Sequence, residues 1–374
     1  MYNKTATFLS STTYKYFFKP VAFSMDPETV HVHIVSLGEW IGKHRSLRKA
    51  VSLALVRRRK SLEQEILGMK FKSPIGLSAG FDYEARLTQI SPCVGFGFQS
   101  VGTITNRPYE GNHKPRLGRL PKSKSLMVNK GFKNPGAATI AKKLHSLTFR
   151  IPIGISVGRT NTTELDQEES VKDVIAAFRT LENSKLKTAY YELNISCPNL
   201  YGTVDFYNPK KLDDVLEAVD KLKIKKPIFV KMPITQTDKE TLDMLKVIDK
   251  HCPAGIIFGN LQNKSGQGLK KEELRKWKTG NFSGKPTFQR SNELIELAYK
   301  QYKDRFVIIG TGGVFSAKDA YLKIKKGASL VQLITGMIFE GPQLISQINA
   351  GLEKLLKKEG YKHLSEAIGK DVSM

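Results

Sequence analysis

The chain has 374 residues, 40% of them hydrophobic and 25% charged, which is enough apolar content for a substantial core and ordinary for a soluble globular protein. No run approaches roughly 18 uninterrupted apolar residues, so a transmembrane helix is not expected, and the three cysteines (Cys93, Cys197, Cys252) show no CxxC spacing, which argues against a disulfide framework, zinc or an iron–sulfur cluster. Lysine and arginine total 60 against 35 acidic residues, a formal +25 that favours anionic partners or simply marks a lysine-rich solvated surface.

Residues 1–25 carry no Asp or Glu and lack the compact apolar core of a secretory signal, so they read as part of the mature protein. A helix is predicted to start at Asp26, an N-cap residue followed by Pro27 at the first helical position. Val30, Ile34, Leu37 and Ile41 then recur at helical spacing and give one apolar face. A second basic stretch, from Ser46 to Arg59, mixes Leu, Val and Ala with an RRRK cluster at 57–60. These helices either pack on the rest of the protein or form a patch at a membrane surface, with basic residues facing acidic head groups.

From residue 74 onward, short apolar runs alternate with amphipathic stretches. The runs are 74–80, 95–102, 151–158, 190–196, 227–232, 254–260, 306–313 and 329–336. Near-continuous apolar runs suit strands covered on both faces. Intervals such as 166–182, 209–223, 238–250, 291–303 and 340–358 suit crossover helices. Eight such units predict an α/β protein, a (β/α)₈ TIM barrel with a short N-terminal helical extension. The expected division is an extension over 1–66 and a barrel over 67–374. A doubly wound open sheet is the competing architecture.

In a TIM barrel the chemistry lies at the C-terminal ends of the strands. Here those ends gather glycines, small hydroxyls, Asn, Lys and Cys. Gly312 and Gly313 end the seventh run, and Thr335 and Gly336 end the eighth, where backbone N–H groups commonly meet a phosphate. Turns also need glycine, so the paired positions carry the signal. Lys231 ends the fifth run among apolar neighbours and is expected either to reach into the barrel mouth or to snorkel to its rim. The segment ELNISCPN (192–199) is the most specific. Two carboxamides, Asn194 and Asn199, flank the thiol of Cys197, a group able to work as a general acid or base when its surroundings tune it. A buried structural thiol is the competing reading, and it is the one expected for Cys93 and Cys252.

These residues together resemble the dihydroorotate dehydrogenases, particularly their membrane-associated, quinone-using class. At the N-terminus YKYFFKPVAFSMDPETVH is similar to that class's helical extension. SPIGLSAGFD, GFGFQSVGTITNRPYEGNHKPRLGRL, ELNISCPN, FSGKP, VIIGTGGVFS and GASLVQLITGMIFEGP are similar to its barrel motifs. The resemblance implies FMN across the barrel mouth, held by Ala79, Gly80, Thr103, Ser156, Asn194, Lys231, Gly284, Gly313 and Thr335. It implies dihydroorotate as substrate, bound by Asn194, Asn199, Asn260, Gly131, Phe132 and Lys130, with Cys197 taking the C5 proton while the C6 hydride passes to the flavin. Electrons would leave to a quinone along a tunnel bordered by His31 and Arg119. No metal is implied, and the expected location is the cytoplasmic face of a membrane, peripherally bound to anionic lipid.

The chain departs from the pattern at several points. That class normally uses Ser as base, and Cys is typical of the soluble classes. Tyr83 stands where the family has a Lys that contacts the substrate carboxylate, and Lys130 is the candidate to replace that charge. The loop after Asn129 is one residue short before Gly131-Phe132. Ser156 replaces a flavin-contacting Asn, and Leu261 a substrate-contacting Thr. An FMN enzyme acting on another dihydropyrimidine, or a tRNA dihydrouridine synthase, therefore stays in view. Against the latter, only residues 337–374 follow the eighth run, too few for that family's RNA-binding helical domain.

Overall fold

All eight apolar runs form strands, here β1 (Ile75–Leu77), β2 (Phe98–Ile104), β3 (Ile153–Val157), β4 (Tyr190–Asn194), β5 (Ile228–Met232), β6 (Gly255–Phe258), β7 (Val307–Thr311) and β8 (Leu330–Leu333). The computed structural model describes residues 4–251, 253–303 and 305–373, so Cys252 lies outside the described residues. The strands pair in parallel in sequence order and close into a barrel through β8 against β1. Helices α5 (Ser91–Val94), α6 (Ala137–His145), α7 (Gln167–Asn183), α8 (Pro209–Asp220), α9 (Asp238–Asp249), α10 (Phe288–Tyr302), α11 (Ala317–Lys325) and α12 (Leu344–Lys358) lie between the strands or follow the last one. Several start where capping chemistry dictates. Asp166 and Thr237 each form a reciprocal capping box with a Glu three residues on, and Asn208 caps α8 ahead of Pro209.

Alternation along the strands sorts the barrel interior into layers. The lowest holds Phe98, Tyr190, Phe229, Ile257, Ile309 and Leu330, closed from below by Phe71. Two residues further along β2, β4, β5 and β8 come Ser100, Glu192, Lys231 and Gln332, all buried. Gln332 Nε2 donates to Glu192 Oε1 (2.9 Å) and Ser100 Oγ (3.0 Å), and Ser100 Oγ also bonds the carboxylate. One further step along β4 places Asn194 at the mouth, in register with Lys231 of β5. Reading the strands as uniformly apolar missed this polar layer, because apolar neighbours on the outer face mask single inward polar residues.

Two small sheets were not legible from the apolar runs. A hairpin of Gln64–Ile66 and Met69–Phe71 carries Phe71 under the barrel. The expected division at 66/67 falls in its turn. Over the mouth, Leu117–Leu120, Ser125–Val128 and Asn281–Phe282 form a three-stranded sheet that buries Leu120, Met127 and Phe282.

Among the described residues, four α-helices precede the barrel: α1 (Lys4–Thr13), α2 (Lys19–Ser24), α3 (Pro27–Lys43) and α4 (Arg45–Leu55), with a π-helical stretch at Tyr14–Phe18 between the first two. Asp26 caps α3 as expected, its Oδ1 accepting from Thr29 N at 2.8 Å. The apolar face of α3 does not simply pack on the barrel. Val30, Ile34, Leu37 and Ile41 line an open cavity, while Val35 and the inner side of Ile41 pack on the core. No helix among the described residues is long and apolar enough to cross a membrane.

Candidate active site

A cavity of about 530 Å³ runs from the strand ends to the space beneath α2 and α3. Its inner end is polar. Lys231, Asn194, Thr103, Ala79 and Gly80 stand on its wall together with Cys197, Asn199 and Asn260. Lys231 Nζ reaches Ser78 Oγ at 3.4 Å, and burial lowers its pKa while the charges of Glu192 and Cys197 oppose that shift. Asn194 Nδ2 donates to Thr103 Oγ1 (2.7 Å), and Thr103 is turned into the mouth by an irregular register between Val101 and Ile104. Ser156 does not join this wall. It is fully buried behind Thr103, 2.9 Å from its hydroxyl, because β3 presents it one layer below the mouth, where it supports Thr103.

At the far side of the inner end lie Gly284, Gly312, Gly313, Thr335 and Gly336. Gly284 and Gly313 have φ of +87° and +69°, conformations that keep the backbone free of a Cβ. Thr335 Oγ1 is 2.9 Å from Ser283 Oγ. A Cβ built on Gly80 (φ +109°) would meet only Ile334 Cδ1, at 3.6 Å, leaving open space above the strand end. A glycine-lined far end, an inner lysine and an open glycine cradle fit a planar anionic group with a phosphate tail.

Cys197 opens onto the cavity and keeps part of its surface, while the surrounding protein shields it from bulk water. Burial pushes its thiol up to about 11, opposed by the Asn199 N–H and the cations of Lys231 and Arg159. The flanking carboxamides are oriented by protein bonds. Asn260 Nδ2 donates to Ser196 O (2.8 Å), and Asn199 Nδ2 donates to Val128 O (3.0 Å) while its Oδ1 accepts from Asn281 Nδ2 (2.7 Å). Cys93 is free and buried, in keeping with a structural role.

The loop after Asn129 stands opposite. Lys130, Gly131 and Phe132 line the cavity. A Cβ at Gly131 would collide with the carboxamides of Asn112 and Asn161, two residues that sequence reasoning missed. Asn112 bridges Asn129 Oδ1 (3.0 Å) and Asn199 O (2.9 Å), tying the loop to the ELNISCPN turn. Lys130 Nζ lies 4.9 Å from the centre of the Tyr83 ring and 3.3 Å from Glu28. Glu28 was also missed. Its only sequence signal is an acidic residue in the first turn of a helix, which the helix dipole already explains.

The outer end is apolar. His31 Nε2 is 2.8 Å from Phe81 O, and a carbonyl only accepts, so Nε2 carries the proton. Burial and then the Lys130 charge depress His31 to about 4, so it is neutral near pH 7. Its ring meets Phe81 and Tyr83 edge-on. Arg119 donates to Met25 O (2.7 Å) and lies 4.8 Å from the Phe23 ring centre, closing the end of α2 over the cavity. Tyr14, missed before, donates to Ile338 O at 2.6 Å and lines the same end. Among the described residues no cluster of His, Cys, Asp and Glu is arranged to hold a metal.

A family model described as dihydroorotate dehydrogenase matches residues 61–356. A protein of Trichodesmium erythraeum named dihydroorotate dehydrogenase (quinone) is 33% identical over 94% of this chain and 96% of its own length. One of the same name from Christiangramia forsetii is 35% identical over 92% of this chain and 99% of its own. Among solved structures, the Eimeria tenella enzyme crystallised with ferulenol superposes with a TM-score of 0.81 at 27% identity, covering 92% of this chain and 96% of that one.

Proposed function

The chain belongs to the dihydroorotate dehydrogenase family, and on that premise we propose that it oxidises dihydroorotate to orotate in pyrimidine biosynthesis, with FMN at the barrel mouth and a quinone as electron acceptor. It is an oxidoreductase of the quinone-dependent class. The observation that carries the reading is that one cavity joins the Cys197 thiol, the Lys231 ammonium and the glycine-lined end to the apolar space under α3.

Bound FMN supplies the hydride acceptor. Gly284, Gly313 and Thr335 would hold its phosphate and ribityl end, and Ala79, Gly80, Thr103, Asn194 and Lys231 its ring. Asn194, Asn199 and Asn260 present carboxamides to a ring that carries both carbonyl and N–H groups. Lys130, with Gly131 and Phe132, meets the substrate carboxylate. Cys197 Sγ takes the C5 proton of the substrate. Its thiol is mostly protonated near pH 7, so the reactive fraction is small and grows with pH.

Residues 1–66 serve quinone access, with His31 and Arg119 at the tunnel. Exposed large apolar side chains support membrane contact: among the described residues, all but Leu67 and Tyr201 lie between Phe8 and Val56. With the basic α4, they form a surface for peripheral binding to an anionic membrane, on its cytoplasmic face. Full-length likeness to this family removes the support for an RNA-directed role. A second reading, oxidation of a dihydropyrimidine without a carboxylate, draws on Tyr83 and on the pairing of Lys130 with Glu28. Anaerobic mixing decides. Flavin bleached by dihydroorotate and restored by a quinone supports the first reading; bleaching by dihydrouracil alone supports the second.

A further inference from the structure

The first turn of α3 sets a carboxylate against the cation of the substrate loop. Glu28 Oε1 is 3.3 Å from Lys130 Nζ and 3.3 Å from Arg116 Nη1, and the side chains of Glu28, Lys130 and Arg116 are only 14%, 5% and 16% exposed. Two cations thus share one carboxylate. Lys130 lines the same cavity as Cys197, Asn199 and Asn260. The neighbouring Tyr83 adds no charge, since burial raises its phenol well out of reach of ordinary pH. An ammonium buried this deeply is costly when left alone, and Glu28 supplies its counter-charge. One turn beyond Glu28, His31 holds Phe81 O, and Val30, Ile34 and Leu37 line the outer cavity.

We propose that Glu28 is a place-holding carboxylate: the carboxylate of the incoming substrate takes Lys130 from it, and substrate entry thereby loosens the first turn of α3. The proposal rests on the reading of a carboxylate-bearing dihydropyrimidine as substrate. No bond is made or broken; one ion pair replaces another, and Glu28 keeps Arg116 as partner. Filling the substrate seat is in this way transmitted to the helix that walls the outer cavity, which favours entry of the electron acceptor once the substrate has bound. A substrate without a carboxylate leaves the Glu28–Lys130 pair, and hence α3, in place.

The test uses the full-length flavin-loaded protein with orotate as probe and uracil as the carboxylate-free control, followed through the flavin absorption band. Glu28→Gln is expected to tighten orotate about tenfold and to move uracil by less than about twofold, while Lys130→Met weakens orotate roughly a hundredfold. Retained flavin colour reports folding of each variant. Independently of any variant, orotate bound to the unaltered protein is expected to speed amide exchange over residues 28–31, whereas uracil is not. Orotate binding equally to all three proteins, or slowing exchange at 28–31, overturns the proposal alone. Orotate binding to none of them while flavin is retained overturns the functional reading and the proposal with it.

Discussion

The two walls of the cavity are built differently. The wall assigned to the flavin is carried by strand ends: Asn194 and Lys231 are in register across β4 and β5, and Thr103 is fixed between Asn194 and Ser156. Barrel closure fixes it, because each strand is held by two neighbours. The opposite wall is carried by a loop and by helices outside the barrel. Lys130, Glu28, Tyr83 and His31 hold one another through an ion pair and ring contacts. Two of the departures implied by the family resemblance, Tyr83 and the shortened loop before Gly131-Phe132, fall on that wall. A scaffold-borne half tolerates little change, while a half held by side-chain pairs can exchange partners, provided that charge and volume still balance.

The sharpest way to break this contrast lies on the first wall. Cys197→Ala is expected to slow flavin reduction by dihydroorotate roughly a thousandfold while the bound flavin and its reoxidation by quinone persist. Stopped-flow reduction checks it, and normal reduction would remove Cys197 from the chemistry.

On the second wall, His31 ties α3 to the barrel and is held neutral. Its folded pKa of about 4 lies below the unfolded 6.5, so the unfolded chain binds the proton first as pH falls. The stabilisation is complete above pH 6.5 and is lost as pH drops toward 4, by up to about 3 kcal/mol. Thermal unfolding at pH 7 and pH 4.5 should show His31→Gln losing less on acidification than the unaltered chain. Equal losses would mean that His31 is not shielded as its geometry requires.

A smaller effect returns to Cys197. With the thiol pushed up to about 11, the rate of flavin reduction should rise about tenfold per pH unit between pH 7 and 9. A plateau beginning near pH 7 would show that substrate binding lowers the thiol. The smallest effect concerns the outer face. Phe17, 70% exposed, is expected to lower partition onto anionic vesicles about fivefold when changed to Ser, without altering reduction by dihydroorotate in solution.

Much of the barrel was legible before any coordinates. Near-continuous apolar runs and capped amphipathic intervals are local signals, and all eight runs became strands within a few residues of the expected bounds. Cys197, Lys231 and Gly313 were legible for the same reason: strand ends in a barrel converge by construction. Glu28, Asn112 and Asn161 were not, since each looks like an ordinary cap or turn residue until the chain folds back over itself. Ser156 lies one layer below the mouth, in register with Glu192, because depth along a strand decides whether an inward side chain reaches the opening or a neighbour such as Thr103.

The sequence by itself determined the eight-fold alternation, the N-cap of α3 and the chemistry gathered at strand tips, because periodicity and capping act over a few residues. Only the tertiary structure decided that the apolar face of α3 walls a cavity, that a polar layer sits beneath Lys231, and that Lys130 meets Glu28 from 102 residues away. Those are outcomes of burial: an isolated apolar face or a buried cation is costly, and which distant segment meets that cost depends on how the barrel and its extension close on each other.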